Sequence, residues 1–266
     1  MKEPLIVLTG PTASGKTALS IELAKAIGGE IISADSMQVY RQMDIGTAKI
    51  RPEEMEGIPH YLVDVLEPDD PFNVVVFQQM AKAAMKKIRE NGHIPLIVGG
   101  TGFYIQAILN DIDFKENEDD GYRSHLEAMA ASDGGPERLY EMLKEVDPES
   151  TEKIHCHNTK RVIRALEYFH QTGQKISERN EQESRKESPY NFAYFVLNRP
   201  REVLYERIDQ RVDQMMEEGL VQEVRKLKDR GYDRSLVSMQ GLGYKEILDW
   251  MDGKYSYEEA VRVLKR

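Results

Sequence analysis

The segment Gly10-Pro11-Thr12-Ala13-Ser14-Gly15-Lys16-Thr17 constrains this chain more than any other. It matches G-x-x-x-x-G-K-[ST] in full, with an apolar run at 5–9 before it and a helical pattern opening at Lys16. Strand, glycine-framed turn and helix are the context that makes this motif a phosphate loop. Successive backbone N–H groups converge on one concavity, and the helix adds its positive end. Lys16 supplies a mobile cation, and Thr17 offers a hydroxyl to Mg²⁺. The loop identifies the group being held. It leaves open whether a phosphate is transferred, hydrolysed or merely released.

Further apolar, β-rich runs at 30–34, 61–65, 95–98 and 192–197 alternate with helical patterns at 16–27, 74–91 and 102–110. The alternation predicts an α/β fold: a P-loop NTPase-like parallel sheet of buried strands, with helices on both faces. It breaks between 115 and 188, where helical patterns at 121–132, 137–147, 150–154 and 159–172 follow one another without a strand. The expected organisation is therefore a core of residues 1–114 and 189–266 carrying an all-helical insertion of residues 115–188. Within the insertion, "QTGQKISERNEQESRKESP" looks like a polar break. After Pro200 one long helix is expected to about Arg230, its apolar stripe running from Val203 to Leu227.

With 266 residues and 40% apolar content, the chain can bury a sizeable core. Its formal net charge of −10 means that any nucleic-acid partner must be met by local basic clusters. The lone cysteine, Cys156, cannot form an internal disulfide and suits a reducing compartment; a small packed residue is its simplest role. No run approaches the ~20 apolar residues that span a bilayer. The expected setting is cytoplasmic, with no membrane partner.

Candidate chemistry gathers where strands end. Asp35, Ser36, Gln38 and Tyr40 follow the second predicted strand, on the side where open α/β sheets bind ligands. Asp35 can take a proton from a nucleophile, hold Mg²⁺ through water, or cap the next turn. Thr101, in Gly99-Gly100-Thr101, follows the fourth strand; its hydroxyl can serve a ligand, cap the next helix, or both. Arg207 and Arg211 share a helix face, as solvated arginines paired to acids also do. The guanine-selective Asn-Lys-x-Asp is absent, and the fourth strand has no acidic end. Asp64 is the alternative acid, though a cap or turn explains it equally well. These features leave open a nucleotide-dependent small-molecule kinase, a nucleotide-controlled RNA-binding module, or an enzyme whose diphosphate is a leaving group.

Taken together, "GPTASGKT", "ISADSMQVYRQMDIGTAK", "VDVLEPDDPF", "IPLIVGGTGFY", "RVIRALE" and "GYKE" resemble, in this order, the bacterial tRNA dimethylallyltransferases, also called tRNA isopentenylpyrophosphate transferases. The resemblance covers nearly the whole chain, and "DSMQVYR" followed by "GGTGFY" is its most specific part. It implies transfer of a dimethylallyl group from dimethylallyl diphosphate to N6 of the adenine 3′ to the anticodon, with diphosphate released. It also implies that Gly10 to Thr17 hold the donor diphosphate, with Mg²⁺ on Thr17. Asp35 becomes the general base, Thr101 lies at the reacting centre with Thr12 nearby, and Arg211 contacts the diphosphate. An adenylate isopentenyltransferase, using a free nucleotide, is the nearest relative reading, and the long insertion argues against it.

The resemblance makes the insertion an arm over the tRNA anticodon stem-loop, whose target base must leave its stack. Arg123, Lys160, Arg161 and Arg164 match tRNA contacts of the family. So do Asp35, Ser36, Met37, Gln38 and Thr101 in the core, and Gly243 and Lys245 in "QGLGYK". Gln240 departs from the nonpolar or basic residue common there. Members continue into a basic helix of the "TRRYAKRQ-TWF" kind that this sequence stops before, which predicts weaker RNA affinity. The acidic "KENEDD" narrows the RNA face of the insertion further. A monomer is expected.

Overall fold

The computed structural model describes residues 2–114 and 120–265. The chain forms two compact units, Met1–Asp111 with Pro189–Arg266, and Ile112–Ser188. Most of the acidic "KENEDD" run, and the expected insertion boundary at 115, lie outside the described residues.

The first unit begins β1 (Glu3–Thr9), α1 (Lys16–Ile27), β2 (Gly29–Ser33), β3 (His60–Tyr61), α2 (Val74–Glu90), β4 (Ile94–Gly99) and α3 (Gly102–Leu109). The strands form one parallel sheet in the order β3-β2-β4-β1-β5, with β5 at Tyr190–Val196. Side chains alternate across it. Ile6, Leu8, Ile31, Leu96 and Val98 pack with Ile21 and Ala24 of α1. Val7, Ile32 and Ile97, wholly buried, point to the opposite face. Helix α2 packs on β2 and β4 and buries Phe77, Ala81, Ala84, Met85 and Ile88 at helical spacing. The Asn73 side chain caps it by accepting from the Val75 and Val76 N–H groups.

Register decides where the loops meet. Thr9 lies beside Gly99, and Ser33 beside Val98. The phosphate loop, the Asp35 turn and Gly99-Gly100-Thr101 therefore leave the sheet at neighbouring strand ends. The approach is so close that a Cβ on Gly99 would overlap the Ala34 carbonyl, and one on Gly10 the Leu197 carbonyl.

Three expectations for this unit change. The run at 61–65 yields only the two-residue β3, because Leu62 and Asp64 adopt positive φ (63° and 55°) and turn the chain away. The run at 192–197 is not a buried strand. It forms β5 at the sheet edge, with Phe192, Tyr194, Phe195 and Val196 between 42% and 64% exposed. An edge strand has one partner, here β1, and apolar composition alone cannot reveal the missing second neighbour. The single long helix is broken at Gly219, φ 106°, into α9 (Arg201–Glu218) and α10 (Leu220–Asp229). It is followed by α11 (Tyr244–Met251) and α12 (Tyr257–Leu264). A left-handed glycine ends the i→i−4 ladder while leaving the apolar spacing intact. No helix among the described residues is long and apolar enough to cross a membrane.

The second unit is helical throughout its described residues: α4 (Tyr122–Ala130), α5 (Gly135–Val146), α6 (Pro148–Lys153), α7 (Thr159–Thr172) and α8 (Ile176–Arg185). Leu126, Leu139, Leu143, Val162, Ile163, Ala165 and Leu166 form its core. Helix α8 corrects the reading of that segment as a break. Its polar sequence hides it from hydrophobic periodicity, and tertiary contacts fix it instead. Asp147, 1% exposed, accepts from the backbone N–H and hydroxyl of both Ser150 and Ser177, so one carboxylate joins α6 to α8.

Burial works to raise the Asp147 pKa, but the hydrogen bonds from Ser150 and Ser177 outweigh it and hold the carboxyl below its ordinary range. Its stabilisation is then complete above an unfolded pKa of about 3.9 and disappears as pH falls through the lower folded value. Asp147→Ala is expected to destabilise the protein by about 2–4 kcal/mol at neutral pH in urea unfolding, because four buried donors lose their acceptor. Below the folded pKa the gap to the parent should shrink. An equal gap at every pH would show that the charge is irrelevant.

Candidate functional site

The phosphate loop is shaped by residues that tolerate unusual backbone. Gly10, Ala13 and Gly15 have φ of 150°, 62° and 101°. Lys16 Nζ folds over the loop and donates to the carbonyls of Gly10 and Pro11, both at 2.9 Å. Ser14 is 2% exposed, and its hydroxyl lacks a partner among the described residues. A buried, unsatisfied hydroxyl in a loop of this shape is an unfilled polar position suited to an anion or its counter-ion. Thr12 and Thr17 are exposed at the loop.

Asp35 stands on the next strand end, and its two oxygens divide the roles left open by the sequence. Oδ1 accepts from the N–H groups of Met37 (2.8 Å) and Gln38 (3.3 Å), which forms the turn. Oδ2 makes no hydrogen bond among the described residues. The Asp35 charge acts on Lys16, Arg211 and Tyr104. Burial lowers the Lys16 pKa, Asp35 pulls it back up, and Arg211 pushes it down. The Arg211 guanidinium is itself depressed by burial, with Asp35 opposing. Burial followed by Asp35 raises the Tyr104 phenol. The Asp35 charge thus acts on two partly desolvated cations and on a phenol. Arg211 is therefore held among these groups instead of in a surface ion pair, whereas Arg207 is exposed.

Thr101 is the N-cap residue of α3, yet its side chain makes no capping hydrogen bond. Its hydroxyl is free of that helix, while its N–H donates to the Ala34 carbonyl at 3.2 Å. Tyr104, one turn on, stacks on Phe77 at 4.6 Å and meets Phe72 edge-on at 5.7 Å. The three rings are buried together, and the Tyr104 phenol is within the field of Asp35.

Ser36, Met37 and Gln38 are half-buried. The Gln38 amide is held internally, donating to the carbonyls of Thr47 and Ala48 and accepting from the Ser33 hydroxyl. Met37 packs so tightly on Gly241 that a Cβ there would lie 2.8 Å from its methyl carbon. This brings "QGLGYK" beside the Asp35 turn. Gly243, φ 95°, starts α11, and Lys245 lies 3.5 Å from Glu246 with its side chain 43% exposed. Asp64, the alternative acidic residue, is paired with the buried Lys49 at 2.5 Å.

The second unit carries its own basic face. Lys160, Arg161 and Arg164 are exposed on α7 while Val162 and Ile163 are buried. The Arg164 guanidinium is partly desolvated by its neighbours, which with Arg179 and Arg123 lowers its pKa; Glu167 opposes. Arg123 pairs with Glu167 at 3.0 Å and Glu127 at 3.2 Å.

Sequence reasoning missed Arg199. Its Nε donates to the Ser14 carbonyl at 2.9 Å, clasping the phosphate loop from the end of β5. Its position just past a strand end was the available signal.

The IPP transferase family model matches residues 38–266. The tRNA dimethylallyltransferase of Lachnoclostridium phytofermentans is 62% identical over 265 residues, 99% of this chain and 84% of that protein. The one from Geobacillus thermodenitrificans is 51% identical over 267 residues, covering 100% and 84%. Among solved structures, full-length tRNA isopentenylpyrophosphate transferase from Bacillus halodurans superposes with a TM-score of 0.73 at 47% identity, covering 100% of this chain and 82% of that one. A eukaryotic dimethylallyltransferase acting on tRNA gives 0.84 at 32% identity, covering 99% and 66%.

Two substitutions separate the loop's cation from its clasp. Lys16→Met is expected to weaken inorganic diphosphate binding by about a hundredfold, as loss of a charge-assisted contact of about 3 kcal/mol would. Arg199→Ala, which only loosens the loop, should cost about three- to tenfold. Isothermal titration measures both; equal losses would contradict the distinction.

Proposed function

The chain belongs to the IPP transferase family, the tRNA dimethylallyltransferases, and on that premise we infer that it prenylates tRNA. It transfers a dimethylallyl group to N6 of the adenine 3′ to the anticodon and releases diphosphate. The observation that carries the mechanism is the unpartnered Asp35 Oδ2 beside Lys16 and Arg211.

We propose dimethylallyl diphosphate as the donor. The loop amides, Lys16 and Arg211 bind its diphosphate and neutralise the charge that grows as the C1–O bond breaks. The exocyclic amine attacks C1, the C–N6 bond forms, and the amine proton passes to Asp35 Oδ2. Because the adenine amine is a weak nucleophile, orientation and leaving-group stabilisation supply most of the rate. The Thr101 hydroxyl, which makes no capping hydrogen bond on α3, would hydrogen-bond at the reacting centre.

The donor set fits Mg²⁺: Thr17 keeps its hydroxyl unengaged among the described residues, Ser14 has an orphaned one, and Asp35 Oδ2 is free. Thr17 would hold the ion, which when bound adds charge neutralisation on the leaving diphosphate. Asp35 to Gln38, Thr101, Gly243 and Lys245 would meet the anticodon loop. Arg123, Lys160, Arg161 and Arg164 would meet phosphates of the stem. The reaction and the lone cysteine suit a monomeric enzyme of the cytoplasm.

The test supplies the protein with tRNA, dimethylallyl diphosphate and Mg²⁺ and omits ATP. Transfer of labelled dimethylallyl is expected, and a strict need for ATP would overturn the reading. Asp35→Asn should lower kcat by about 10²–10⁴-fold while donor affinity stays within a few fold. Near-parental kcat would remove Asp35 from the role of base.

A further inference from the structure

The loop between α6 and α7 places His155, Cys156 and His157 in succession, with one ligand atom from each within 4.8 Å of the others. Three neighbouring side chains usually diverge. Here the backbone folds them together: the Asn158 N–H donates to the His155 carbonyl at 2.8 Å, and Arg161 and Val162 N–H groups return to the Asn158 carbonyl. The loop is thus anchored to the first turn of α7. The rings of His155 and His157 lie 5.1 Å apart at 43°.

The chemistry of these atoms matches a borderline-soft cation. The His157 N–H points to His155 Nδ1 at 3.2 Å, and a metal on that nitrogen would take the lone pair that this contact uses. His155 Nδ1 lies 3.7 Å from Cys156 Sγ. Two ligands at ordinary Zn–N and Zn–S lengths in a tetrahedron are about 3.6 Å apart. The pair is already at that spacing. Both histidines are exposed and Cys156 is half-buried, so the loop is open to an entering ion. Mg²⁺, which takes oxygen ligands, would not compete for this set.

We propose that His155, Cys156 and His157 form a zinc site, with three protein ligands and a fourth position open to water. Binding exchanges the thiol proton for the metal, so one proton is released and a thiolate–Zn²⁺ bond forms. The amide end of α7 and Lys160 oppose a bare dication, and the thiolate charge offsets part of that opposition. The bound ion leaves one net positive charge three residues ahead of Lys160, on the helix that carries Arg161 and Arg164. The site is independent of the phosphate loop and of the reaction inferred above.

Cys156 is the only cysteine in the chain, which makes the test specific. The full chain, stripped with chelator and kept in a non-thiol reductant, is titrated with Co²⁺ at neutral pH. One equivalent should bind with a thiolate-to-cobalt charge-transfer band, and added Zn²⁺ should bleach it. Cys156→Ser should abolish the band. His155→Asn with His157→Asn should weaken Co²⁺ binding at least tenfold, with the unfolding midpoint of the metal-free protein unchanged. Absence of the band in the parent protein overturns the proposal. So does a double histidine variant that binds as tightly as the parent, because the thiolate alone would then be capturing the ion.

Discussion

The structure depends on how closely β2, β4 and β1 approach one another at their C-terminal ends. The Ala34 carbonyl occupies the space that any side chain at position 99 would need, and the Leu197 carbonyl does the same at position 10. Glycine at both positions lets three loops leave the sheet side by side. A third contact, Met37 on Gly241, brings the segment ahead of α11 to the same place. Without that convergence the phosphate loop would be an isolated anion site, with no carboxylate within reach of what it holds.

Convergence creates the electrostatics. The protein as a whole is acidic, yet Lys16 and Arg211 are desolvated next to Asp35. Each cation alone would be unfavourable in that setting, and the Asp35 charge opposes the cost of their burial. The arrangement also divides labour. The cations suit a leaving diphosphate, and the free oxygen of Asp35 suits the proton of an incoming amine. A kinase site would instead need an acid at the end of β4, where Gly99-Gly100-Thr101 stands, and Asp64 is held by Lys49.

Legibility followed the range of the interaction involved. The phosphate loop, β1, β2, β4, α1 and α2 were readable because each is specified by local pattern or by apolar spacing. The short β3 was missed because left-handed backbone at Leu62 and Asp64 carries no compositional mark. Helix α8 was missed because its anchors, Ser177 on Asp147 and Arg179 over the Tyr168 ring, are tertiary. Gly219 is visible as a glycine inside an unbroken apolar stripe, and the stripe's spacing masks the break. At the site, Asp35 was legible from its place after a strand. The division of its two oxygens, and the clasp of Arg199, were not.

By itself the sequence determined a phosphate-loop motif at the end of the first strand of a parallel sheet, and its motifs in order carried the family. Both are local: a loop of eight residues and short strings of sequence have chemistry that does not wait for folding. The tertiary structure decided which side chains meet at the strand ends, which oxygen of Asp35 stays free, which strand lies bare at the edge, and which polar segment becomes a helix. Those outcomes depend on register, burial and neighbours distant in the chain, and a linear pattern does not contain them.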